Sequence, residues 1–243
     1  MSLFNRGPEN ESNLVTYYLG EDDLHPKIQG AFEWFKEDVL PFFHNDCQDK
    51  IMLAGGALRS LFTDTSIRDY DVYADINTIE KLSDNHYAVL ASKHGGWTRI
   101  SNTARSYTYK RMFFNPLEQK IDHSLVNFIK TPYVTPQSVI ETFDFTVCMC
   151  AITKDQITYH PDYFVDLATR VLRVNSLEDP LSTLWRVQKY NKLGYTMSQE
   201  EMWKTVEAVH DLGTLPRIVD EGEKTKASLK ENVMTLEEVF RSS

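Results

Sequence analysis

One short segment of the chain combines residue types that can bind a nucleotide and a metal ion. Residues 51–54 form an apolar run that ends in Gly55-Gly56, and Arg59 follows three residues later. The run predicts a buried strand, and the two glycines let the backbone turn sharply and approach a ligand, because they carry no Cβ. The residues after them predict the start of a helix, whose free N–H groups and dipole favour an anion such as a triphosphate. Arg59 can add a charge-assisted contact to the same phosphates.

Asp69 and Asp71 lie further along the chain, on either side of Tyr70. Side chains alternate between the two faces of a strand, so both carboxylates are predicted on one face. Two neighbouring carboxylates repel each other and are most easily kept ionised by a shared divalent cation. Each piece alone also fits an ordinary strand–turn–helix unit or a solvated acidic turn, so the functional interpretation depends on their order and spacing.

In this order the pieces resemble the signature of the polymerase-β-like nucleotidyltransferases. The similarity is greatest to the group that contains the bacterial tRNA CCA-adding enzymes and poly(A) polymerases, whose pattern is GGxVRDxLLGxxxxDxD. The matching positions are Gly55, Gly56, Arg59, Asp69 and Asp71. Ser60 replaces the aspartate that usually follows the arginine. The resemblance implies an α+β fold, with a head of mixed β-sheet and flanking helices followed by a small helical neck.

The similarity extends over about residues 50–197. Residues 144–151 resemble the family's RRDFTINAMA segment, and residues 165–174 resemble the segment that closes the head. Residues 178–195 resemble the neck segment EDxxRxxRxxRFxxxLGF. The resemblance therefore implies nucleotide contacts for Asp144 and Asp179, in addition to the glycine pair and the arginine.

For such an enzyme the resemblance implies two divalent ions, Mg²⁺ or Mn²⁺ as a substitute. One ion helps to deprotonate the attacking hydroxyl, and the other holds the leaving pyrophosphate. Asp69 and Asp71 match the metal-binding pair. Some family members supply a third carboxylate from a neighbouring strand, and Asp122 matches that role best, although a lone aspartate in a strand is also typical of an exposed edge.

The neck helix departs from the family pattern. The three arginines that read the base in CCA-adding enzymes are replaced by Ser182, Trp185 and Gln188. Serine and tryptophan cannot make bidentate guanidinium contacts, although glutamine can hydrogen-bond to a base. Trp185 could stack on a base, but it fits an apolar stripe of the helix with Leu181 and Leu184 and is predicted to be a core residue. Arg186 and Lys189 are predicted to lie one position off the base-reading face, which they would reach only if the helix rotates.

Two further departures concern residues next to these motifs. Thr142 and Phe143 replace the paired arginines before the DFT segment. Asp179 is retained, but without arginine partners it is equally typical of a helix N-terminal residue that the dipole favours. The metal and phosphate apparatus is therefore predicted to be intact, and the base-reading apparatus is predicted to be rebuilt or lost.

The composition restricts the setting of this chemistry. The chain has 243 residues, 42% of them hydrophobic, and no apolar run of membrane-spanning length or secretory type, so we expect a cytoplasmic protein with no membrane partner. Three cysteines make a poor disulfide framework, and Cys148 and Cys150 are predicted to be core residues. A net charge of −9 argues against broad, sequence-independent nucleic-acid binding, but not against an RNA end in a locally basic cleft.

The pattern along the chain predicts three parts. Residues 1–48 form an N-terminal extension with an amphipathic helix over 26–43, preceded by a polar, loosely ordered start. Residues 49–175 form the head, and residues 176–243 form a helical neck and tail. Further elements are predicted as a helix over 78–94, a strand pair over 97–114, a strand over 118–129, a β-rich run over 143–153, and helices over 198–212 and 227–240.

Three functions are consistent with these motifs and this composition. The first is metal-dependent transfer of a nucleoside monophosphate from an NTP to an RNA 3′ end, with base selectivity altered relative to CCA addition. The second is the same transfer to a protein or small-molecule acceptor, which the negative charge favours. The third is a catalytically silent nucleotide- or RNA-binding module, against which the acidic pair argues, since adjacent buried carboxylates without a metal are costly.

Overall fold

The computed structural model describes residues 13–21, 24–43, 45–84, 97–115, 120–132 and 135–211. The fold is α+β, as predicted: one large mixed sheet with helices packed against it. The predicted helix over 227–240 and the second half of the predicted helix over 78–94 lie outside the described residues. The proposed boundaries between extension, head and neck stay a prediction.

Eight strands form the large sheet, in the order β1-β8-β7-β2-β3-β6-β5-β4. The strands are β1 (Val15–Tyr18), β2 (Met52–Ala54), β3 (Asp69–Tyr73), β4 (Trp97–Asn102), β5 (Ser106–Asn115), β6 (Lys120–Ile129), β7 (Cys150–Ile152) and β8 (Gln156–Tyr159). Neighbouring strands pair antiparallel except β3 and β6, which are parallel. A separate parallel pair consists of β9 (Val171–Leu172) and β10 (Thr196–Met197).

The helices flank this sheet or follow it. They are α1 (Pro26–Trp34), α2 (Asn45–Gln48), α3 (Gly56–Phe62), α4 (Ile76–Asp84), α5 (Pro136–Ile140), α6 (Tyr163–Thr169), α7 (Pro180–Asn191) and α8 (Gln199–Asp211). Among the described residues no helix is both long and apolar enough to cross a membrane.

The predicted N-terminal amphipathic helix is confirmed. Pro26 occupies the first turn, where its missing N–H is harmless, and α1 continues through one π-helical turn, Phe35–Val39, and a 3₁₀ turn, Leu40–Phe42. Its apolar positions are buried: Ile28, Phe32, Phe35, Val39 and Leu40. The helix is therefore part of the main hydrophobic core.

The two faces of the sheet are covered unequally. On one face the main core buries residues from the central strands, such as Leu53, Val72 and Phe128. On the other face a smaller cluster joins β2 and β7 to α5, whose Val139 and Ile140 are completely buried. Further along this second face Asp69, Asp71, Leu125 and Asn127 are half-buried and His123 is exposed. Among the described residues this is the more accessible part of the sheet, and we call it the open face.

One prediction of local structure was wrong. The start of the chain is not entirely irregular, because β1 pairs with β8 and Thr16 Oγ1 lies 3.1 Å from Thr158 Oγ1. The β-rich run predicted over 143–153 contains β7, preceded by a 3₁₀ turn, Thr146–Cys148. Cys148 and Cys150 are buried and unpaired, as predicted for core residues.

Candidate functional site

The acidic pair lies on the open face of the sheet, in β3. Asp69 and Asp71 are two residues apart in the strand, and both are partly shielded from water. Across the parallel β3–β6 pair, Leu125 is opposite Asp69 and Asn127 is opposite Asp71. Asn127 Nδ2 donates a hydrogen bond to Asp71 Oδ1 at 2.9 Å. The amide of Asn127 was not predicted from the sequence, because only the register of β3 against β6 brings it to the pair.

The surroundings of Asp71 disfavour its charged form. Removal from water raises the pKa of its carboxyl to about 6, the hydrogen bond from Asn127 lowers that pKa, and the charge of Asp69 raises it. The positive charges of Lys189 and Arg186 lower it further. A divalent cation shared by the two carboxylates would remove the repulsion that Asp69 contributes.

The glycine turn lies directly beside this pair. Ala54, the last residue of β2, is opposite Asp71 in the antiparallel β2–β3 pair, and Gly55 follows it at φ +82°. A Cβ at Gly55 would meet the ring of Phe143 at 3.5 Å. Position 55 therefore favours glycine for its backbone conformation, since 3.5 Å is an ordinary contact distance, and Phe143 covers the turn where the CCA-adding enzymes have arginines.

Arg59 reaches back from α3 toward the glycine turn. Its guanidinium lies so close that a Cβ at Gly56 would be 3.9 Å from Arg59 Nη2. Arg59 is only 9% exposed, and its Nη1 is buried with no hydrogen-bond partner among the described residues. A buried charged donor without a partner is costly, and a phosphate oxygen at the turn would satisfy it.

Arg59 also joins the head to the neck helix. Its guanidinium carbon lies 5.1 Å from the centroid of the Tyr190 ring in α7, a cation–π contact. The Tyr190 hydroxyl is 2.7 Å from Cys148 Sγ, which belongs to the 3₁₀ turn of the head. A ligand that moves Arg59 would therefore act on the packing of α7 as well.

The neck helix presents a different face from the one predicted. Thr183, Val187 and Tyr190 are buried, and the positive charges of Arg186 and Lys189 are near enough to lower the pKa of Asp71. That these two residues lie one position off the base-reading face stays a prediction. The prediction that Trp185 is a core residue was wrong, because its side chain is 48% exposed.

Arg186 pairs with one of the predicted nucleotide-binding residues. Its Nη1 lies 2.7 Å from Asp144 Oδ2, and Asp144 is 8% exposed whereas the Arg186 side chain is about half exposed. The remaining guanidinium donors of Arg186 are not engaged in any hydrogen bond that the described residues provide. The pair thus provides the positive charge of Arg186 and the second carboxylate oxygen of Asp144 at the border between head and neck.

Asp179 serves the neck helix itself. It is the N-cap of α7: its carboxylate accepts bonds from the Ser182 backbone N–H at 3.2 Å and from the Ser182 hydroxyl at 2.6 Å. The hydrogen bond from the Ser182 hydroxyl is the main cause that lowers the pKa of Asp179. Both carboxylate oxygens are used in capping, which corresponds to the helix-terminus alternative stated above.

The structure does not bring Asp122 to the acidic pair. Position 122 is opposite Phe113 in the β5–β6 pair and three residues before Leu125, where the pairing with β3 begins. At about 3.3 Å per residue it is roughly 16 Å along β6 from the position opposite Asp71. Within the described ranges no group of three or more His, Cys, Asp or Glu side chains could hold a metal ion.

Two carboxylates nevertheless suit one kind of cation. Mg²⁺ keeps several water ligands and is commonly bound through one or two carboxylates together with substrate phosphates. Asp69 and Asp71 supply that number of carboxylates, on one face and beside the glycine turn. The donor set therefore fits Mg²⁺ or Mn²⁺ held jointly by the protein and a nucleotide.

Comparison with known sequences gives a family. The model of the family described as "Gabija anti-defense 2 family protein" matches residues 25–170. The protein "Gabija anti-defense 2" of Bacillus phage SPbetaL7 is 31% identical to the chain over 169 residues. That match covers 68% of this chain and 38% of the relative, so the chain spans about two fifths of the relative's length.

Comparison with solved structures gives the same fold as the sequence resemblance. The Thermotoga maritima CCA-adding enzyme complexed with tRNA superposes with a TM-score of 0.50 at 16% identity, over 78% of this chain and 44% of that one. A CCA-adding enzyme in complex with ATP gives a TM-score of 0.52 at 16% identity, over 77% and 44%. The chain therefore has the fold of this part of a nucleotidyltransferase, as the sequence motifs predicted.

Proposed function

The chain belongs to the Gabija anti-defense 2 family, and from this premise we propose that it is a metal-dependent nucleotidyltransferase, which moves a nucleoside monophosphate from an NTP to a hydroxyl acceptor. One observation carries the proposal. The acidic pair of β3 lies beside a glycine turn at which the buried Arg59 has an unpartnered donor. Paired carboxylates next to a positive, glycine-lined turn are what a metal–triphosphate complex requires.

Each group has a role in this proposal. Asp69 and Asp71 would hold Mg²⁺, which when bound neutralises charge on the phosphates and makes the acceptor hydroxyl easier to deprotonate. Arg59 binds a phosphate oxygen through its free Nη1, and the glycine turn lets the polyphosphate approach the backbone. Asp144 pairs with Arg186 of the neck helix, whose charge also acts on Asp71. These two residues offer an acceptor and donors to the nucleotide in place of the family's arginine face.

The acceptor in the first candidate function is an RNA 3′ end. An incoming strand would lie on the open face beside Asp71, where Arg186 and Lys189 provide local positive charge despite the net charge of −9. The altered neck helix implies nucleotide selectivity that differs from CTP-then-ATP addition.

A protein acceptor is the second candidate, and two observations favour it. The net charge of −9 opposes binding to long nucleic acids, and the family is named for anti-defence activity. Nucleotidyl transfer to a component of the Gabija defence would connect that name to the chemistry of this site.

Label transfer from α-³²P-labelled nucleotides tests both candidates. The protein is incubated with Mg²⁺ and each NTP, separately with total RNA and with protein extract from cells that carry the Gabija defence. We expect label in one of the two fractions, and a loss of at least about 1,000-fold for Asp71→Asn, because the cation is no longer held. The matched control is Glu33→Gln, a change at an exposed acid in α1.

Two results would contradict the proposal. Undiminished transfer by Asp71→Asn would remove the mechanism, since no step could depend on the acidic pair. Tight binding of nucleotide and Mg²⁺ by calorimetry, with no transfer to RNA, protein or small metabolites, would instead favour a catalytically silent module.

A further inference from the structure

The register of β3 against β6 places an amide where a third acidic side chain would complete the acidic pair. On β6, Leu125 and Ile129 are opposite Asp69 and Tyr73, and the residue between them, Asn127, is opposite Asp71. Asn127 is therefore the polar side chain that this stretch of β6 presents to the pair. Aspartate has the same shape as asparagine, so the site differs from a three-carboxylate site by one charge.

The hydrogen bond fixes how Asp71 can be used. Asn127 Nδ2 donates to Oδ1 of Asp71 at 2.9 Å, which engages that oxygen and leaves Oδ2 for another ligand. The donor is neutral, so the bond orients the carboxylate without cancelling its charge. Hydrogen-bond partners of metal-binding side chains act in this way: they set the direction of the ligand atom and thereby the affinity for the metal.

We propose that Asn127 is a positioning residue of the cation site, and that its neutral amide keeps the site incomplete until a nucleotide arrives. Two carboxylates alone bind Mg²⁺ or Mn²⁺ weakly, and the phosphates of the NTP complete the coordination. An aspartate at position 127 would bind the cation before the nucleotide. The inference rests on the proposed function, because it takes Asp69 and Asp71 as the ligands.

Mn²⁺ binding by electron paramagnetic resonance tests this without any catalysis. The metal-free full chain is titrated with Mn²⁺ in the absence of nucleotide. We expect Asn127→Ala to bind about tenfold more weakly than the unchanged protein, because Asp71 loses its orientation. We expect Asn127→Asp to bind at least about tenfold more tightly, because a unit charge is added at close range. A nucleotide should then strengthen Mn²⁺ binding less in Asn127→Asp than in the unchanged protein.

The control is Thr108→Val. Thr108 is opposite Asn127 on its other side, in β5, so it lies in the same row of the sheet but one strand away from Asp71. This variant should bind Mn²⁺ as the unchanged protein does. If Asn127→Ala does not fold, judged by circular dichroism in EDTA, Asn127→Ser replaces it, since a hydroxyl retains part of the hydrogen bond.

The outcomes separate the inference from the function on which it rests. If Asp71→Asn binds Mn²⁺ as tightly as the unchanged protein, the acidic pair is not the cation site and the proposed function fails. If Asp71→Asn loses binding while both changes at position 127 leave it unaltered, only the role of Asn127 fails. If Asn127→Asp and Asn127→Ala weaken binding equally, Asn127 merely supports the fold, and the inference is overturned.

Discussion

The sheet end of the site and the neck helix match the pattern of the CCA-adding enzymes to different extents. At the sheet end the glycine turn, Arg59, Asp69 and Asp71 stand at the family's spacing, and the fold brings them together. On the neck helix other residues stand at the three arginine positions, but the charges of Arg186 and Lys189 still act on Asp71. The sheet end, for which we propose phosphate and metal binding, thus keeps residue identities, whereas the neck helix keeps positive charge at other positions.

This difference has a physical reason. Polyphosphate and divalent cations are common to all NTPs, so the groups that bind them tolerate little change in geometry. Bases differ among nucleotides, and a new selectivity can be built from other donors on the same helix. The comparison therefore predicts large effects for changes at the sheet end and smaller ones for changes on α7.

Replacing Arg59 is the strongest test of the sheet end among single basic residues. Arg59→Leu should weaken NTP binding by roughly 100-fold, because a buried charged donor to the phosphates is removed. Isothermal titration with Mg²⁺ and each NTP measures this. The loss should be similar for all four nucleotides, since the contact is to phosphate.

The matched control is Arg99→Leu, a change at an exposed arginine on the edge strand β4. It should leave NTP affinity within about twofold, because single exposed charges contribute little at physiological salt. Equal losses of NTP affinity in the two variants would show that Arg59 acts only through net charge. The sheet end would then have no specific phosphate contact from this arginine.

The pH dependence tests the acidic pair. The pKa of Asp71 is raised from 3.8 to about 6, mainly because the carboxyl is removed from water. A cation must displace the proton, so Mn²⁺ affinity should fall about tenfold per pH unit below pH 6. In EDTA the folded protein binds this proton more tightly than the unfolded chain. The free energy of unfolding attributable to Asp71 should therefore fall as the pH rises from about 4 to about 6, and stay level above that.

Asp71→Asn provides the comparison for this measurement. Because the variant has no carboxyl at position 71, its free energy of unfolding should not show the decrease between about pH 4 and about pH 6. At pH 7 in EDTA it should be more stable than the unchanged protein by about 3 kcal/mol. Urea unfolding at pH 4, 5 and 7 measures the difference. A variant that is less stable than the unchanged protein at pH 7 would show that Asp71 is held ionised by the fold alone.

Changes on the neck helix should have smaller effects. Arg186→Gln removes the partner of the buried Asp144, and the free energy of unfolding should fall by about 1 kcal/mol, a value limited by the exposure of the arginine. Asp144→Asn with Arg186→Gln should recover part of that loss. NTP affinity should fall less than for Arg59→Leu and by different amounts for the four bases.

Lys189→Gln is the control on the same helix face. Lys189 has no ion pair or hydrogen bond with the residues that the structure describes, and its charge acts on Asp71 without contact, so its replacement should lower the free energy of unfolding by less than Arg186→Gln does. If Lys189→Gln lowers the free energy of unfolding as much as Arg186→Gln does, the total charge on α7 stabilises the protein. The specific pair of Arg186 with Asp144 then contributes nothing of its own.

The sequence predicted the features that depend on local spacing. The strand, glycine turn and helix at residues 52–62, the strand carrying the Asp-x-Asp pair and the long N-terminal helix all follow from periodicity and motif, and the structure has them. The α+β fold followed from resemblance, and the solved structures confirm it. Such features need only neighbouring residues, so one sequence contains the information.

Features that depend on pairing between distant segments were missed. Asn127 becomes part of the site through the register of β3 and β6, and β1 exists because β8, about 140 residues later, pairs with it. The phase of α7 was misjudged because Leu181, Leu184 and Trp185 suggested an apolar stripe, whereas the helix buries Thr183, Val187 and Tyr190. A buried threonine and tyrosine do not stand out in a hydrophobic pattern.

The strand order has a consequence for synthesis on the ribosome. β2 lies between β3 and β7, and β1 forms its hydrogen bonds with β8. The strand pairing of the sheet therefore cannot be completed until residue 159 has left the exit tunnel. Until then the nascent chain exposes unpaired strand edges, which are sites of aggregation. Truncation before β8 should therefore give insoluble protein. Soluble fragments are instead expected only when the chain extends past the end of that strand.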